Sequence, residues 1–119
     1  MKKRFFDLAK KVSKKSKHPD HKIGCVLVKK NRIINIGFNK SKTSPHSKHP
    51  FQYIHAELDA VLGVPLEDLR GASVYVYREL KDGSRALSRP CPSCYDMLKV
   101  LDIDKLYFTG YNKYETEDL

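Results

Sequence analysis

Residues 23–38 read IGCVLVKKNRIINIGF and give the clearest strand signal in the chain. The first part, Ile23 to Val28, is an apolar run rich in β-branched side chains, which is typical of a buried strand. Lys30 and Asn31 supply a turn, and Arg32 to Phe38 continue as a second strand. The stretch therefore predicts an antiparallel hairpin.

The segments on either side of this hairpin alternate between helical and extended patterns. Apolar side chains recur at helical spacing in the lysine-rich residues 3–16, which predicts an amphipathic helix. The remaining elements are a short helix from about His55 to Leu62 that ends at Gly63, a strand over 72–77, a helix opened by Pro90-Cys91-Pro92, and a strand over 105–109.

The resulting order, α-β-β-α-β-α-β, predicts an α/β fold: a mixed β-sheet with helices on both faces, in three layers. We expect a single domain over residues 1–119, with an acidic tail at 115–119 that is frayed. Residues 39–53 have no periodicity, and so long an irregular segment in a compact domain is usually a functional loop.

The composition is that of a soluble globular protein. The 119 residues include 23 Lys and Arg against 14 Asp and Glu, and 40% are hydrophobic, which excludes a disordered chain, a collagen and a coiled coil. The charge is uneven, because residues 1–50 hold 15 basic and 2 acidic side chains while residues 51–119 hold 8 and 12. A basic half favours a phosphorylated or polyanionic partner, although a solvated lysine-rich surface explains it equally well.

The cysteine count and the start of the chain bear on the compartment. Three cysteines, an odd number, and an amino-terminal segment without a long apolar stretch argue against a secreted, disulfide-bonded protein. The longest apolar run, Ile23 to Val28, is far shorter than the roughly 20 residues of a membrane span. We therefore expect a cytoplasmic protein without a membrane partner.

The chemistry lies in two short motifs, His55-Ala56-Glu57 and Pro90-Cys91-Pro92-Ser93-Cys94. Cys91 and Cys94 are three residues apart, so they share one face of a helix and can hold one ion. Zn²⁺ takes nitrogen or sulfur ligands, and a catalytic site has three of them plus a position for water. His55 can be the third ligand, which leaves Glu57 near the metal without binding it. A carboxylate there can move protons from a metal-activated water to a substrate.

The combination of H-x-E with P-C-x-x-C resembles the zinc-dependent cytidine and deoxycytidylate deaminase superfamily. Ile23 to Val28 is similar to the family's first strand, and Gly37-Phe38-Asn39 is similar to the Gly-aromatic-Asn sequence ahead of its substrate loop. The resemblance implies a cytidine-deaminase-like fold and a Zn²⁺ cofactor held by His55, Cys91 and Cys94. It also implies hydrolytic removal of the exocyclic amine of a cytosine nucleotide or nucleoside, deoxycytidylate-like, with Glu57 as the catalytic acid and base.

The same resemblance implies contacts to the substrate. Asn39 would hydrogen-bond the sugar or the backbone of the substrate. The protein backbone at Ala56 and around Ser88 and Arg89 would contact the base near the metal. Tyr111 stands where related nucleotide deaminases place an aromatic side chain. Arg89 is the cation expected to meet a phosphate or the surroundings of the base. Strand termination by Asn39, packing by Tyr111 and simple solvation of Arg89 remain alternatives.

Two other functions remain open. A polynucleotide deaminase would act on a cytosine or adenine in single-stranded DNA or RNA, with lysines on its backbone and Phe51 or Tyr53 stacked on bases. A zinc-stabilised nucleic-acid-binding module without catalysis is the second, and the presence of Glu57 argues against it because a structural site has no use for that carboxylate.

The chain also departs from the family pattern. Lys40 stands where effector-regulated relatives commonly have Gly, which puts allosteric control in doubt. The segment from Glu79 to Arg89 is longer than usual, and too few residues follow the last predicted strand to form a fifth strand and a last helix.

Some remaining side chains have simpler expectations. Cys25 is expected to be a small core residue. A second, structural zinc would have to come from the loop histidines His18, His21, His46 and His49. By resemblance, we expect a homo-oligomer in which neighbouring subunits complete the pocket.

Overall fold

The computed structural model describes residues 2–18, 21–41, 53–111 and 113–119. Its helices are α1 (Lys3–Ser13), α2 (Ala56–Val61), α3 (Leu66–Leu69) and α4 (Pro92–Val100). Its strands are β1 (His21–Lys29), β2 (Arg32–Phe38), β3 (Lys40–Ser41), β4 (Tyr53–Ile54), β5 (Ser73–Leu80), β6 (Arg85–Ala86), β7 (Lys105–Thr109) and β8 (Tyr114–Asp118).

A six-stranded mixed sheet lies at the centre, with the order β2-β1-β5-β7-β8 and with β6 paired to the end of β5. β5 and β7 are parallel, and the other pairs of this sheet are antiparallel. The predicted hairpin is confirmed, because β1 and β2 pair directly. Lys30 and Asn31 have positive φ angles of 50° and 66° at its turn, as a two-residue loop that matches the twist of the strands requires.

The two faces of the sheet carry separate apolar clusters, because neighbouring side chains of a strand point to opposite sides. Val26 and Val28 pack with Phe6 of α1 on one face. Cys25 and Leu27 pack with residues of α2 and α4 on the other. Helices therefore cover both faces, which confirms the predicted layers.

Two glycines allow helices to approach the sheet closely. A Cβ atom on Gly24 would lie 2.5 Å from the Ser13 nitrogen in α1, and one on Gly37 would lie 2.5 Å from the Ala56 carbonyl oxygen in α2. Any larger residue would push the helix away. Gly37 therefore fixes the start of α2, which follows His55 directly.

The prediction of a frayed tail at 115–119 is wrong, and so is the expectation that no fifth strand forms. Residues 114–118 pair with β7 over five positions. The Tyr114 ring stacks on Phe6 at 4.0 Å between centroids, and Glu117 forms an ion pair with Arg89 at 3.2 Å. These contacts offset the weak strand propensity of the acidic residues.

Other differences concern boundaries. The first helix ends at Ser13 rather than at residue 16, and β5 extends to Leu80 instead of ending at residue 77. The long segment after Glu79 is explained by a turn and by β6, which pairs back onto β5. Most of the predicted loop 39–53 lies outside the described residues, which show β3 and β4 at its two ends.

In the described part of the chain, no helix combines the length and the apolar character that a membrane crossing requires.

Candidate metal centre and active site

The starts of α2 and α4 bring His55, Cys91 and Cys94 together. His55 and Cys91 are the residues that precede the two helices, and Cys94 lies in the first turns of α4. Nδ1 of His55 is 3.5 Å from the Cys91 sulfur and 3.4 Å from the Cys94 sulfur. All three ligand atoms lie within 4.8 Å of one another, so the group can hold one metal ion.

The spacing fits tetrahedral Zn²⁺. Zinc–sulfur bonds of about 2.3 Å and zinc–nitrogen bonds of about 2.0–2.1 Å place nitrogen and sulfur about 3.5 Å apart across a tetrahedron edge. The observed separations of 3.4 and 3.5 Å match that value. Within the described ranges no fourth His, Cys, Asp or Glu joins the group. Three protein ligands with one open position are typical of a catalytic zinc site.

The two sulfurs differ in exposure. Cys94 is buried, Cys91 is half-buried and the His55 residue is exposed. Burial beside Glu57 and Cys91 raises the pKa of the Cys94 thiol well above its usual range. A bound cation would offset the unfavourable negative charge around the Cys94 sulfur and favour its thiolate form.

Glu57 lies in the first turn of α2, two residues after His55, and is only 4% exposed. Burial raises the pKa of its carboxyl, while a hydrogen bond with the Cys94 side chain and the nearby His55 oppose that shift. A raised pKa makes a carboxyl a better proton acceptor. The environment of Glu57 thus suits the proton-transfer role predicted for it.

The third cysteine, Cys25, is fully buried in the core cluster between the sheet and α2. Desolvation, and after it the charges of Glu57 and Cys94, raise the pKa of its thiol well above the usual value. Cys25 lies outside the three-residue ligand group. The expectation of a core residue is confirmed.

Strand β2 holds α2 in place through polar contacts as well as through Gly37. The Asn35 side-chain amide donates to the Ala60 carbonyl at 2.8 Å, and the Phe38 N–H donates to an Asp59 carboxylate oxygen at 3.1 Å. Lys40 pairs with Asp59 at 3.0 Å. These contacts fix the helix that carries Glu57.

Ser88 anchors the segment that leads to the metal cysteines. Its buried hydroxyl donates to the Val76 carbonyl at 2.8 Å and accepts from the Thr109 N–H at 2.7 Å. The Ser88 N–H donates to the Thr109 carbonyl at 2.8 Å. The side chain of Ser88 is therefore used to join β5 and β7. The contact of the Ser88 backbone with a substrate stays a prediction. The same holds for the backbone of Ala56, which is fully buried at the start of α2.

We expect Ser88→Ala to lower the free energy of unfolding by about 1–3 kcal/mol, because the buried Thr109 N–H loses its acceptor. Denaturant unfolding of the variant measures this change. Ser84→Ala, at an exposed serine in the β5–β6 turn whose hydroxyl donates to the exposed Asp82 carboxylate, should cost less, because water replaces the lost bond. Equal effects of the two substitutions would contradict the anchoring role.

Arg89 and Tyr111 occupy different surroundings. The Arg89 guanidinium pairs with Glu117 of β8 and lies 4.8 Å from the centre of the Tyr95 ring. Tyr111 is 72% exposed and lines a cavity of about 410 Å³ with Leu87 and residues of the β7–β8 turn. The contacts of Arg89 and Tyr111 with a substrate stay predictions.

Asn39 is buried at the end of β2. Its side-chain oxygen accepts from the Ile23 N–H, and its side-chain nitrogen donates to the His21 carbonyl, both at 2.9 Å. The amide thus continues the β1–β2 ladder by one step. The Asn39 amide has a further N–H and a further lone pair. The predicted contact with the substrate sugar would use these groups, and it stays a prediction.

Sequence reasoning missed Arg78. We expected the strand to stop at Tyr77, but β5 continues, and Arg78 follows Val74 and Val76 on the face that α2 and α4 cover. A positive charge at an inward-pointing position of an extended strand was the available signal.

Nothing in the described part of the chain supports the second zinc site. The His21 N–H donates to Nδ1 of His18 at 3.0 Å, and their ring centroids are 5.4 Å apart, but neither belongs to a metal-binding group there. His46 and His49 lie outside the described residues.

Comparison with known proteins agrees with this geometry. The family described as "Cytidine and deoxycytidylate deaminase zinc-binding region" matches residues 1–110. The "uncharacterized deaminase in luxG 3'region" of Aliivibrio fischeri is 32% identical over 113 residues, which cover 88% of this chain and 69% of that protein. The probable deoxycytidylate deaminase of Caenorhabditis elegans is 30% identical over 118 residues, 88% of this chain, and the chain spans 55% of its length.

Among solved structures, the dCMP deaminase of cyanophage S-TIM5 superimposes with a TM-score of 0.64 at 21% identity. The match covers 92% of this chain and 86% of the phage enzyme. At this level of identity it establishes the fold alone, and it confirms the expected cytidine-deaminase-like architecture.

Proposed function

This chain belongs to the cytidine and deoxycytidylate deaminase family, as the match over residues 1–110 establishes, and we propose that it is a zinc-dependent hydrolase acting on a cytosine nucleotide or nucleoside, deoxycytidylate-like. The product would be the uracil counterpart, with one water consumed and one ammonia released. The observation that carries this proposal is the buried Glu57 carboxyl, which lies two residues after His55 beside a group of three zinc-type ligands.

In this proposal His55, Cys91 and Cys94 hold the ion. When bound, Zn²⁺ would supply Lewis-acid activation of water. Glu57 would take a proton from the attacking water, whose oxygen bonds to the amine-bearing carbon, and give that proton to the neighbouring ring nitrogen. It would then transfer the second water proton to the amine, and the carbon–nitrogen bond would break to release ammonia. Burial keeps the Glu57 carboxyl away from bulk water, so the proton passes between enzyme and substrate.

Relatives support the choice of substrate without deciding it. The C. elegans protein carries deoxycytidylate in its name. The basic first half of the chain is compatible with a phosphorylated substrate. Single-stranded nucleic acid and a non-catalytic zinc module are the competing possibilities, and self-association in solution stays a prediction.

A substrate panel tests the proposal. Deoxycytidylate, deoxycytidine, cytidine, cytosine and a single-stranded oligonucleotide are incubated with the metal-loaded protein, and ammonia release is measured with the loss of cytosine absorbance. We expect a free nucleotide or nucleoside to give ammonia in equal amount to uracil product, and chelation followed by Zn²⁺ addition to remove and restore the rate. Turnover of the oligonucleotide alone, or of nothing in the panel, would overturn the proposal.

A further inference from the structure

Arg78 carries a positive charge on the same face of the sheet as the metal-binding group. Val74 and Val76 of β5 pack in the core under α2 and α4, and Arg78 is the next residue of that alternation. The residue is half-buried. No carboxylate of the described residues pairs with its guanidinium, in contrast to Arg70 and Arg89, which do form ion pairs.

The neighbours of Arg78 leave its hydrogen-bonding capacity unfilled. Nη1 donates to the Leu87 carbonyl at 3.3 Å, and Nη2 lies 2.7 Å from Nδ1 of His21. Nε is buried and has no hydrogen-bond partner within the described ranges. A guanidinium has five N–H donors and stays charged, and a half-buried cation without a carboxylate partner is unfavourable unless another anion completes its surroundings.

The position of Arg78 relates it to the proposed reaction centre. Val76 pairs with Cys25 across the ladder, and Cys25 is within electrostatic reach of Glu57 and Cys94. Arg78 lies two residues further, about 7 Å along the strand. It also contacts Leu87, in the segment that leads to Cys91. A nucleotide whose base lies beside Glu57 could direct its phosphate toward this end of β5.

We propose that the Arg78 guanidinium forms an anion subsite that holds the phosphate of a nucleotide substrate and selects nucleotides over nucleosides. The planar guanidinium matches phosphate oxygens in a two-bond arrangement. Asn39 is a positioning residue for this subsite, because its amide fixes the backbone of His21 and Ile23. This proposal rests on the proposed function, but its test also has a binding readout that needs no turnover.

Calorimetry with deoxyuridylate, deoxyuridine and inorganic phosphate tests the subsite on the metal-loaded chain. We expect deoxyuridylate to bind about 10–100-fold more tightly than deoxyuridine, the difference that a charge-assisted hydrogen bond supplies. Arg78→Met should reduce this ratio to about 1 and weaken phosphate binding, with deoxyuridine affinity unchanged. In turnover, the KM for deoxycytidylate should rise while kcat/KM for deoxycytidine stays within about twofold.

Arg85→Met is the matched control. Arg85 lies in the same β5–β6 hairpin, but its guanidinium lies over the Tyr114 ring, 4.9 Å from the centre, and its loss should leave the ratio unchanged. If Arg78→Met fails to fold, Arg78→Lys keeps the charge, and an intermediate ratio is expected because a lysine forms no two-bond contact.

The results separate the two proposals. A wild-type chain that binds deoxyuridylate no better than deoxyuridine, or an Arg78→Met variant that keeps the wild-type ratio, overturns the subsite. An Arg78→Lys variant that keeps the wild-type ratio of deoxyuridylate to deoxyuridine affinity also overturns the subsite. Absence of deamination with intact, Arg78-dependent phosphate binding overturns the proposed function and leaves the subsite standing.

Discussion

Glu57→Gln should abolish deaminase turnover while the protein keeps its full metal content. The glutamine amide has almost the same shape as the carboxyl, so the packing around α2 is retained. It cannot accept a proton from water and release it to the ring nitrogen and the amine. Loss of a general acid and base lowers kcat by a factor of about 10²–10⁴, and a larger loss is expected here because one group performs both transfers.

Ammonia release under single-turnover conditions measures this loss, with zinc determined by elemental analysis of the same sample. Glu67→Gln is the control. Glu67 lies exposed in α3, so the substitution makes the same chemical change away from the site. Its rate should equal that of the unmodified chain. A Glu57→Gln rate within tenfold of that value would remove the carboxyl from the mechanism, whatever the metal content.

The elements that local pattern decides were predictable from the sequence. The hairpin over residues 23–38 was predictable because a β-branched apolar run followed by turn residues is a short-range signal. The strand Lys105–Thr109 was predictable from its own apolar and aromatic residues. Both metal-binding motifs were located at helix starts, because proline and the residue spacing mark such positions.

The contact of His55 with Cys91 and Cys94 could not be predicted in this way. His55 lies 36 positions before Cys91 and 39 before Cys94. No local pattern encodes this meeting, and it was expected through the resemblance to known deaminases. In the structure it depends on long-range packing. Gly37 fixes α2 against β2, and Ser88 ties the segment before α4 to β5 and β7.

The failures have a common physical cause in long-range partners. Residues 115–118 look like a solvated acidic tail, but a neighbouring strand, the Phe6 ring and Arg89 make them a strand. Arg89 was predicted to meet a phosphate or the base because it adjoins the cysteines; the same strand supplies it with a counter-charge, and its contact with a substrate stays a prediction. Arg78 was overlooked because its role depends on which face of the sheet it occupies.

Replacing Cys94 with alanine should remove the metal, the activity and the metal-dependent part of the stability together. Two remaining ligands cannot hold zinc at a three-ligand site, so metal content should fall to below about a tenth of stoichiometric. An ion present at about a thousand times its dissociation constant stabilises a fold by about 4 kcal/mol. Chelation should therefore lower the unfolding free energy of the unmodified chain by about that amount and leave Cys94→Ala unchanged.

Cys25→Ala separates ligand loss from the loss of a buried sulfur, because Cys25 is as deeply buried but lies outside the ligand group. This variant should lose about 1 kcal/mol through the small cavity it creates and keep its zinc, so chelation should still destabilise it by the full amount. Since the effect of chelation is compared within each variant, the cavity cost cancels. A Cys94→Ala protein that retains stoichiometric zinc would show that this sulfur does not hold the ion, and the proposed centre would have to be abandoned.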